Sequence, residues 1–326
     1  MSATPVLSVV GPVFNEESAL PLFHSRLTAS LEALGLPWEV VYVDDGSRDG
    51  TPALLAKMRA ADARVKFLRL SRNFGHQVAI TAGLDHATGE AVVIMDTDGQ
   101  DPPELIGRLV ERWRAGDHVV YAVRTRRESE TVFKRLTAAV FYRLLRSMTH
   151  LDIPVDAGDF RLLDRRVAEV LRQMRESHRF VRGMTSWAGF TQGRVEYDRA
   201  ARLAGETHYP FFKMLHFALD ALTSFSNPLR LVFYLGLGAF IAAVVTSGWA
   251  LYIKLFTDRA VQGWASLMAA TLFTGSVQLI SVGVIGEYMG RILDEVKRRP
   301  LYALSAAEGF LRPKVIGLKL PNVETN

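Results

Sequence analysis

The stretch Ala91-Val92-Val93-Ile94-Met95-Asp96-Thr97-Asp98-Gly99-Gln100-Asp101 joins five apolar residues to an acidic turn. An apolar run of this length, ended by turn residues, predicts a strand buried in a parallel sheet. Because alternate residues of an extended turn point the same way, Asp96, Asp98 and Gln100 can present oxygen atoms to one cation. Mg²⁺ and Mn²⁺ prefer such ligands and complete their shells with water and substrate phosphates. The stretch therefore predicts a divalent-metal site at a strand end, although a lone pair of alternating aspartates is also common in solvated turns.

Apolar runs alternate with amphipathic segments throughout the N-terminal half. This alternation predicts an α/β fold with a doubly wound, mostly parallel sheet. The predicted strands are Val6–Val10, Trp38–Val43, Val65–Leu70, Ala91–Met95 and His118–Val123. The predicted helices are Glu17–Leu34, Pro52–Ala61, Gln77–Ala87 and Glu104–Ala115. Ligands of such sheets bind at the carboxyl ends of the strands. Three polar clusters fall there, and we expect them to converge: Asn15-Glu16, Asp44-Asp45 and Asp96-x-Asp98.

The turn Asp44-Asp45-Gly46-Ser47 has two interpretations that can hold together. A carboxylate at a strand end can accept a hydrogen bond from a nucleotide base or a ribose hydroxyl, and the glycine permits a tight turn. Alternatively, Ser47 and Asp49 cap the helix that begins near Thr51. The sequence contains neither GxGxxG nor GxxxxGK[ST], so the dinucleotide-binding and P-loop classes lack their phosphate cradles.

The segment after the predicted sheet mixes basic, polar and aromatic residues. We expect a basic loop at Arg124–Arg135, a helix at Val132–Arg146 and a loop at Asp152–Phe160 that contains glycine, aspartate and proline. A further helix is predicted around Arg165–Met174. Tyr209–Phe225 places aromatic and charged residues at helical spacing, which predicts an interfacial helix on a bilayer. An ordinary amphipathic surface helix is the alternative.

Two uncharged apolar runs lie near the C-terminus, Leu231–Ile253 and Ala260–Gly286. Each has about the twenty residues needed to cross a hydrocarbon core of roughly 30 Å. The short linker Lys254–Arg259 predicts a two-helix hairpin, with two buried helices of a soluble core as the alternative. Lys and Arg residues cluster outside the pair, at Arg230 before it and at Arg291, Lys297, Arg298 and Arg299 after it. By the positive-inside rule both ends face the cytoplasm.

Composition restricts the classes of protein and of binding partner that are compatible with this sequence. The chain has 326 residues, a net charge of +5 and no cysteine. The absence of cysteine excludes a disulfide framework, a thiol nucleophile and a Cys-ligated zinc site. A net positive charge is compatible with binding to nucleic acid, anionic lipid or phosphorylated substrates. Because no nucleic-acid motif is evident, we expect no nucleic-acid partner and favour phosphate and lipid headgroups. Met1–Val10 lacks the charged start of a signal peptide, which predicts a cytosolic N-terminal domain.

A series of motifs, in order along residues 5–302, resembles the GT-A fold of family 2 glycosyltransferases. The resemblance is strongest to bacterial polyisoprenyl-phosphate glycosyltransferases, relatives of dolichol-phosphate mannose synthase with a two-helix membrane anchor. The first motifs are Pro12-Val13-Phe14-Asn15-Glu16, Asp44-Asp45-Gly46-Ser47, Ser71-Arg72-Asn73-Phe74-Gly75-His76 and Asp96-x-Asp98-x-Gln100-Asp101. The later ones are Ala157-Gly158-Asp159-Phe160-Arg161-Leu162, Arg202-x-x-Gly205-Glu206-Thr207-x-Tyr209 and Gly286-Glu287-Tyr288-x-Gly290-Arg291. Phe14 departs from the tyrosine of many relatives, and no QxxRW motif of processive synthases is present.

The resemblance implies a role for each matching residue. It assigns the nucleotide-sugar pocket to Pro12, Phe14, Glu16, Asp44, Asp45 and Asp96. It assigns the Mg²⁺ or Mn²⁺ site to Asp96, Asp98 and Gln100, and the proposed catalytic base to Asp159. Because a phosphate monoester is already largely dianionic at neutral pH, Asp159 either removes a residual proton or orients the phosphate. The acceptor-phosphate positions are Arg124, Arg127, Arg202, Thr207 and His208, of which His208 stands where relatives often carry lysine.

The resemblance also implies the reaction and its setting. We expect inverting transfer of a hexose, with glucose favoured, from a UDP-sugar to undecaprenyl phosphate at the bacterial inner membrane, for cell-envelope glycosylation. The alternatives are an aminoarabinose derivative or GDP-mannose as donor, a polysaccharide synthase, and a non-catalytic lipid-carrier or flippase partner. The expected segments are a cytosolic GT-A domain (1–208), an interfacial helix (209–228), a transmembrane hairpin (229–290) and a cytosolic tail (291–326). The Gly286-xxx-Gly290 spacing suits hairpin packing or a homo-oligomer contact.

Overall fold

The apolar runs of the first half of the chain form strands, and the segments between them form helices. The computed structural model describes residues 5–124, 157–197, 228–256 and 263–310. Its strands are β1 (Leu7–Val13), β2 (Trp38–Asp44), β3 (Val65–Leu70), β4 (Ala91–Ile94), β5 (Val119–Arg124), β6 (Ala157–Asp164), β7 (Gln192–Tyr197) and β8 (Leu304–Glu308). Its helices are α1 (Leu20–Ala33), α2 (Thr51–Ala61), α3 (His76–His86), α4 (Ile106–Arg114), α5 (Arg165–Gln173), α6 (Val181–Trp187), α7 (Pro228–Phe256) and α8 (Trp264–Lys297).

The strands form one mixed sheet in the order β7-β5-β6-β4-β1-β2-β3-β8. Its centre is parallel: β1 pairs with β2 and β4, and β2 pairs with β3. Val9 of β1 lies opposite Val40 on one side and Val93 on the other. This register brings the ends of β1, β2 and β4 to one edge, where the Asp45 backbone N–H donates to the Val13 carbonyl at 2.9 Å. The strand ends therefore converge at one edge of the sheet, as expected from the sequence.

Helices cover both faces of the parallel centre. On one face, Phe23, Leu27 and Leu31 of α1 are buried against β1, β2 and β4, in a core that also includes residues of α2 and α4. On the other face, α3 packs on β1 and β2, and Gly83 comes so close to Val10 that a Cβ at position 83 would overlap its side chain. Burying each large apolar side chain stabilises the fold by about 1.5–3 kcal/mol. The sheet edge that carries the polar clusters is thus rigidly supported.

The flanks of the sheet differ from the sequence expectation. The segment expected as a loop at Asp152–Phe160 enters a strand at Ala157, and β6 runs antiparallel between β4 and β5. Strands β7 and β8 and helix α6 were not predicted, and a short 3-10 turn at Pro103–Leu105 precedes α4. The helices expected at Val132–Arg146 and Tyr209–Phe225 lie outside the described residues.

A second compact unit contains α7 and α8, which contact each other. Helix α7 contains the whole of the first predicted run, and α8 extends past the second run to Lys297. The predicted helical pair is therefore present. Within the described ranges, no helix has the combination of length and apolar character that crossing a membrane requires. The expected pair of membrane spans is not confirmed by this structure.

Candidate active site

A cleft of about 290 Å³ opens at the edge of the sheet where β1, β2 and β4 end. It is shaped by strand-end turns and by the segment that leads into α3. The residues lining it are Pro12, Val13, Phe14, Glu16, Asp45, Asn73, Gly75, His76, Ala79, Asp96, Thr97 and Asp98. The three polar clusters expected from the sequence each contribute at least one residue to this cleft.

The turn after β1 presents an aromatic wall. Phe14 lines the cleft and is 45% exposed, so part of this residue is open to a ligand. Two hydroxyls from the next turn hold this segment: Ser47 Oγ accepts from the Asn15 N–H at 2.9 Å, and Thr51 Oγ1 accepts from the Glu16 N–H at 3.0 Å. Ser47, one of the two residues predicted to cap α2, therefore fixes the cleft wall together with Thr51. The N-cap of α2 is Gly50, which makes no side-chain capping hydrogen bond.

The two aspartates after β2 have different surroundings. Asp45 lines the cleft, and its carboxylate oxygens accept from the backbone N–H groups of Phe74 at 2.7 Å and Gly75 at 2.9 Å. Burial raises the pKa of Asp45, and these two hydrogen bonds oppose that change. Asp44 is fully buried; its Oδ1 accepts from the Ser47 N–H at 2.8 Å, and its Oδ2 lies 3.2 Å from Arg69 Nε. Asp45 thus faces the cleft, whereas Asp44 holds the turn together.

Gly46 allows this turn to touch the loop before α3. Its φ is +76°, and a Cβ placed there would lie 2.6 Å from the Arg72 carbonyl carbon. A side chain at position 46 would therefore strain its own backbone and push the neighbouring loop away. Together with the two hydrogen bonds to Asp45, this close approach fixes residues 72–75 against the end of β2.

The acidic turn after β4 contributes Asp96 and Asp98 to the cleft. The Oδ1 atom of Asp96 is buried and has no hydrogen-bond partner within the described ranges; His76 Nε2 lies 3.4 Å away. Burial, together with the charges of Asp101, Asp159 and Asp98, raises the pKa of Asp96 to about 6. Asp98 Oδ1 accepts from the backbone N–H of Gln100 at 3.0 Å, and the Gln100 side chain is buried.

The turn after β4 provides part of a binding site for a divalent cation. In the part of the chain that the structure describes, no three His, Cys, Asp or Glu side chains come together as a metal site. Mg²⁺ is nevertheless usually held by only one or two carboxylates. Asp96 and Asp98 both line the cleft, and the buried Oδ1 of Asp96 has no hydrogen-bond partner within the described ranges. Asp96 and Asp98 can therefore provide two carboxylate ligands to such a cation, and further oxygen ligands would have to complete its shell.

Asp159 lies on β6 beside this acidic turn and is surrounded by cationic groups. Its carboxylate accepts from Arg182 Nε at 2.9 Å and Nη2 at 3.3 Å, and from Arg161 Nη2 at 3.2 Å. His76 Nε2 is 3.2 Å from Asp159 Oδ2, so His76 bridges Asp159 and Asp96. Burial alone would raise the pKa of Asp159, but the hydrogen bond from His76 and the two guanidinium charges hold it well below its usual range.

The charge of Asp159 also affects its partners. Burial alone would lower the pKa of His76, but its contacts with the two carboxylates raise it above its ordinary value. Arg161 is completely buried, and the carboxylate that it contacts is Asp159. Asp159 is therefore an ionised group whose negative charge is matched by two arginines and a histidine.

Other predicted site residues are not placed by the structure. Arg124 is the last residue of β5, where the backbone alone is described. Arg127, Arg202, Thr207 and His208 lie outside the described residues. Sequence reasoning also missed the partners of Asp159, namely His76 and Arg182, together with Gln77, whose side chain lies 3.5 Å from the same carboxylate. His76 belongs to a motif that carried the resemblance, but Arg182 had no local signal because its contact is made in the tertiary structure.

Comparison with known proteins gives the family. Residues 8–172 match the family described as Glycosyl transferase family 2, and residues 227–292 match the one described as GtrB C-terminal hairpin. The chain is 48% identical to the uncharacterized glycosyltransferase YkcC of Bacillus subtilis, over 93% of this chain and 94% of YkcC. It is 40% identical to the prophage bactoprenol glucosyl transferase homolog of Escherichia coli (91% and 98% covered) and 41% identical to the bactoprenol glucosyl transferase of Shigella phage SfII (91% and 97% covered).

The fold is that of an α/β protein with a cleft at the carboxyl ends of its parallel strands, which is where ligands of such sheets usually bind. The chain belongs to glycosyl transferase family 2 and is a glycosyltransferase. The resemblance drawn from the sequence motifs is confirmed.

Proposed function

We propose that this enzyme transfers glucose from UDP-glucose, with inversion, to a polyisoprenyl phosphate such as undecaprenyl phosphate. The product would be a lipid-linked glucose for cell-envelope glycosylation. Relatives at 40–41% identity over nearly their whole length carry the name bactoprenol glucosyl transferase, which supports glucose and the lipid acceptor. The UDP moiety is supported by the resemblance of the motifs that line the cleft.

The observation that carries this proposal is the bridge from Asp159 through His76 to Asp96. His76 Nε2 is 3.2 Å from one carboxylate and 3.4 Å from the other. It joins an acidic cleft, suited to a cation and a diphosphate, to a cationic cluster, suited to a second phosphate. Transfer from a nucleotide sugar to a lipid phosphate needs both kinds of subsite side by side.

We assign the donor to the cleft. Phe14 offers an aromatic face to the base, and Asp45 lies where a base or ribose can reach its carboxylate; Pro12, Glu16 and Asp96 complete the wall. Asp44 acts on the donor through the turn that it holds. When bound at Asp96 and Asp98, with Gln100 as the expected third ligand, Mg²⁺ or Mn²⁺ would supply counter-charge for the departing diphosphate.

For Asp159 we favour the orienting role over the base role. A carboxyl whose pKa lies well below its usual range is a weak base, and a phosphate monoester loses its second proton near pKa 6. Proton transfer from the acceptor to Asp159 would therefore run uphill, and at neutral pH it is not needed. The carboxylate instead fixes the cationic side chains around it, and these orient the acceptor phosphate against the sugar C1.

The remaining assignments rest on the sequence. We propose that Arg124, Arg127, Arg202, Thr207 and His208 contact the acceptor phosphate. We also propose that the α7–α8 hairpin attaches the catalytic domain to the inner membrane on its cytoplasmic side. The segment boundaries at 208, 228 and 290 belong to the same proposal. The GtrB-type hairpin match over residues 227–292 supports a hairpin in this position.

The test is a transfer assay with purified full-length protein in detergent. Radiolabelled UDP-glucose, UDP-aminoarabinose derivatives, UDP-N-acetylglucosamine and GDP-mannose are each offered with undecaprenyl phosphate, and the lipid product is extracted and counted. We expect label in the lipid fraction with UDP-glucose and much less with the other donors. Preference for another sugar would replace glucose in the proposal, and no transfer from any donor would favour the non-catalytic partner.

A further inference from the structure

The acidic turn after β4 is held at both of its ends by side-chain hydrogen bonds. At the first end, Thr97 Oγ1 donates to the Pro12 carbonyl at 2.9 Å, which ties the turn to β1. At the second end, the Tyr197 hydroxyl donates to Asp101 Oδ1 at 2.7 Å, which ties the turn to β7. The position of the cleft-lining carboxylates of this turn therefore depends on contacts that their neighbours make.

The contact between Tyr197 and Asp101 lies inside the protein. Asp101 is 1% exposed and Tyr197 is 7% exposed, and neither lines the cleft. A hydrogen bond from a hydroxyl to a buried carboxylate is costly to break, because the carboxylate oxygen then loses a partner that water does not replace. The pair therefore constrains the turn from the side that faces away from the ligand.

Tyr197 also contacts the other wall of the site. Its ring packs edge-on against the ring of Phe160, with the two centroids 6.3 Å apart, and Phe160 follows Asp159 directly on β6. In the sheet, Tyr197 is the register partner of Arg124 at the end of β5. One side chain thus contacts β6 through its ring and the acidic turn through its hydroxyl.

We propose that Tyr197 is a positioning residue whose hydroxyl, through Asp101, holds the acidic turn in the geometry that binds a divalent cation. This inference rests on the proposed function, because it concerns the cation that would accompany the donor diphosphate. Since Tyr197 does not itself line the cleft, we expect it to act on the cation by way of the turn. Residues that orient the ligands of a metal typically contribute 10–100-fold to its affinity or to activity.

The test variant is Tyr197→Phe, which removes the hydroxyl and keeps the ring that packs on Phe160. The matched control is Tyr302→Phe. The Tyr302 hydroxyl donates to Asp85 Oδ2 at 2.9 Å, and the Asp85 side chain is 7% exposed and does not line the cleft. Both variants remove one tyrosine hydroxyl from an aspartate of the same compact unit. A general loss of stability would therefore affect both, whereas a change in the acidic turn would affect Tyr197→Phe.

The experiment measures UDP binding without turnover. The affinity of full-length protein in detergent for UDP is measured by calorimetry, once with Mn²⁺ and once in excess chelator, and thermal unfolding is followed for each variant. We expect Mn²⁺ to tighten UDP binding by wild type and by Tyr302→Phe to the same extent. We expect Tyr197→Phe to bind UDP about tenfold more weakly than wild type with Mn²⁺, and as well as wild type in chelator. A merely structural role would not separate the two conditions.

Four results would contradict the proposal. The first is wild-type UDP affinity of Tyr197→Phe with Mn²⁺. The second is an equal loss of affinity in chelator, or a failure of Tyr197→Phe to fold, and the third is the same Mn²⁺-dependent loss in Tyr302→Phe. The fourth is UDP binding by wild type that Mn²⁺ does not tighten, because there would then be no cation for the turn to bind. The proposed function fails separately, if the same wild-type preparation transfers no glucose to undecaprenyl phosphate.

Discussion

The Asp159 carboxylate contributes to stability as well as to the proposed chemistry. Arg161 is buried beneath it, so loss of the negative charge leaves a buried guanidinium without its counter-ion. We predict that Asp159→Asn abolishes transfer and also lowers the free energy of unfolding by about 3–5 kcal/mol, the usual cost of breaking a buried ion pair. Denaturant unfolding and single-turnover transfer measure the two effects.

A second substitution separates these effects. Arg161→Met in the Asp159→Asn background removes the unpaired charge and is expected to recover much of the stability without recovering transfer. The effect of pH on the stability that Asp159 contributes follows from the direction of its pKa shift. Because the folded-state pKa of Asp159 lies below its unfolded value, its stabilisation is complete above about pH 4 and is lost as the pH falls further. Transfer by Asp159→Asn at the wild-type rate would contradict the assignment of Asp159 to the site.

The carboxylate pair of the acidic turn predicts a dependence on divalent metal. Asp98→Ala removes one of the two carboxylates on the cleft wall, so we expect turnover to fall by about 100-fold or more as the diphosphate loses its counter-charge. Asp62→Ala, which removes a half-buried carboxylate that pairs with Arg64 and does not line the cleft, is the control and keeps wild-type activity. Full activity in excess chelator, with elemental analysis excluding retained metal, would refute the metal site.

Some residues of the site were predictable from the sequence around them, whereas the contacts of others were not. Asp45, Asp96 and Asp98 were predicted because each follows an apolar strand, and strand ends of a parallel sheet meet at one edge. His76 and Asp159 are 83 positions apart, and their contact depends on β6 lying beside β4. No pattern within either segment encodes that pairing. For the same reason, the depressed pKa of Asp159 could not be inferred from its motif.

At the level of elements, the contact between the turn after β2 and the loop before α3 gives a further prediction. Gly46→Ala places a methyl group 2.6 Å from the Arg72 carbonyl carbon, so the loop that binds Asp45 must move. We expect UDP-glucose affinity to fall by about tenfold, or 1.4 kcal/mol, together with a loss of stability. Calorimetry and thermal unfolding measure both.

Gly35→Ala is the matched control for this prediction. Gly35 has a similar φ of +61°, but among the described residues no atom beyond its chain neighbours lies within 4 Å of its Cβ position. The alanine there pays the conformational cost of about 1–2 kcal/mol without displacing a neighbour. We expect reduced stability with unchanged donor affinity. Equal losses of donor affinity in both variants would show that the Gly46 contact does not support the cleft.

The central strands and helices were predictable because apolar runs and turn residues mark them directly. Strand β6 was not, because Asp159 and Arg161 are charged residues inside a strand, and they are tolerated there because they contact each other. Strand β7 alternates exposed and buried residues from Gln192 to Tyr197, a period-two signal that could have been found. Strand β8 follows α8 in the chain and pairs with β3, a return that no local pattern indicates.

At the level of the whole molecule, the distribution of Lys and Arg gives a topology prediction. If the hairpin crosses the membrane, reporters fused after Asn326 and inserted within Asp258–Gln262 should report opposite sides, with the C-terminus cytoplasmic. The described helices do not by themselves meet the requirement for crossing, so this experiment decides the matter. Both reporters on the cytoplasmic side would show that the hairpin attaches without crossing.

The stereochemistry of the lipid product shows whether glucose passes in one step from UDP-glucose to the lipid phosphate. Purified wild-type protein is incubated with UDP-glucose and undecaprenyl phosphate, and the anomeric proton of the extracted product is measured by NMR. Direct transfer between the two neighbouring subsites inverts the α-linked donor, so we expect a β-linked glucosyl phosphate on the lipid. An α-linked product, or a lipid fraction without glucose, would contradict direct inverting transfer.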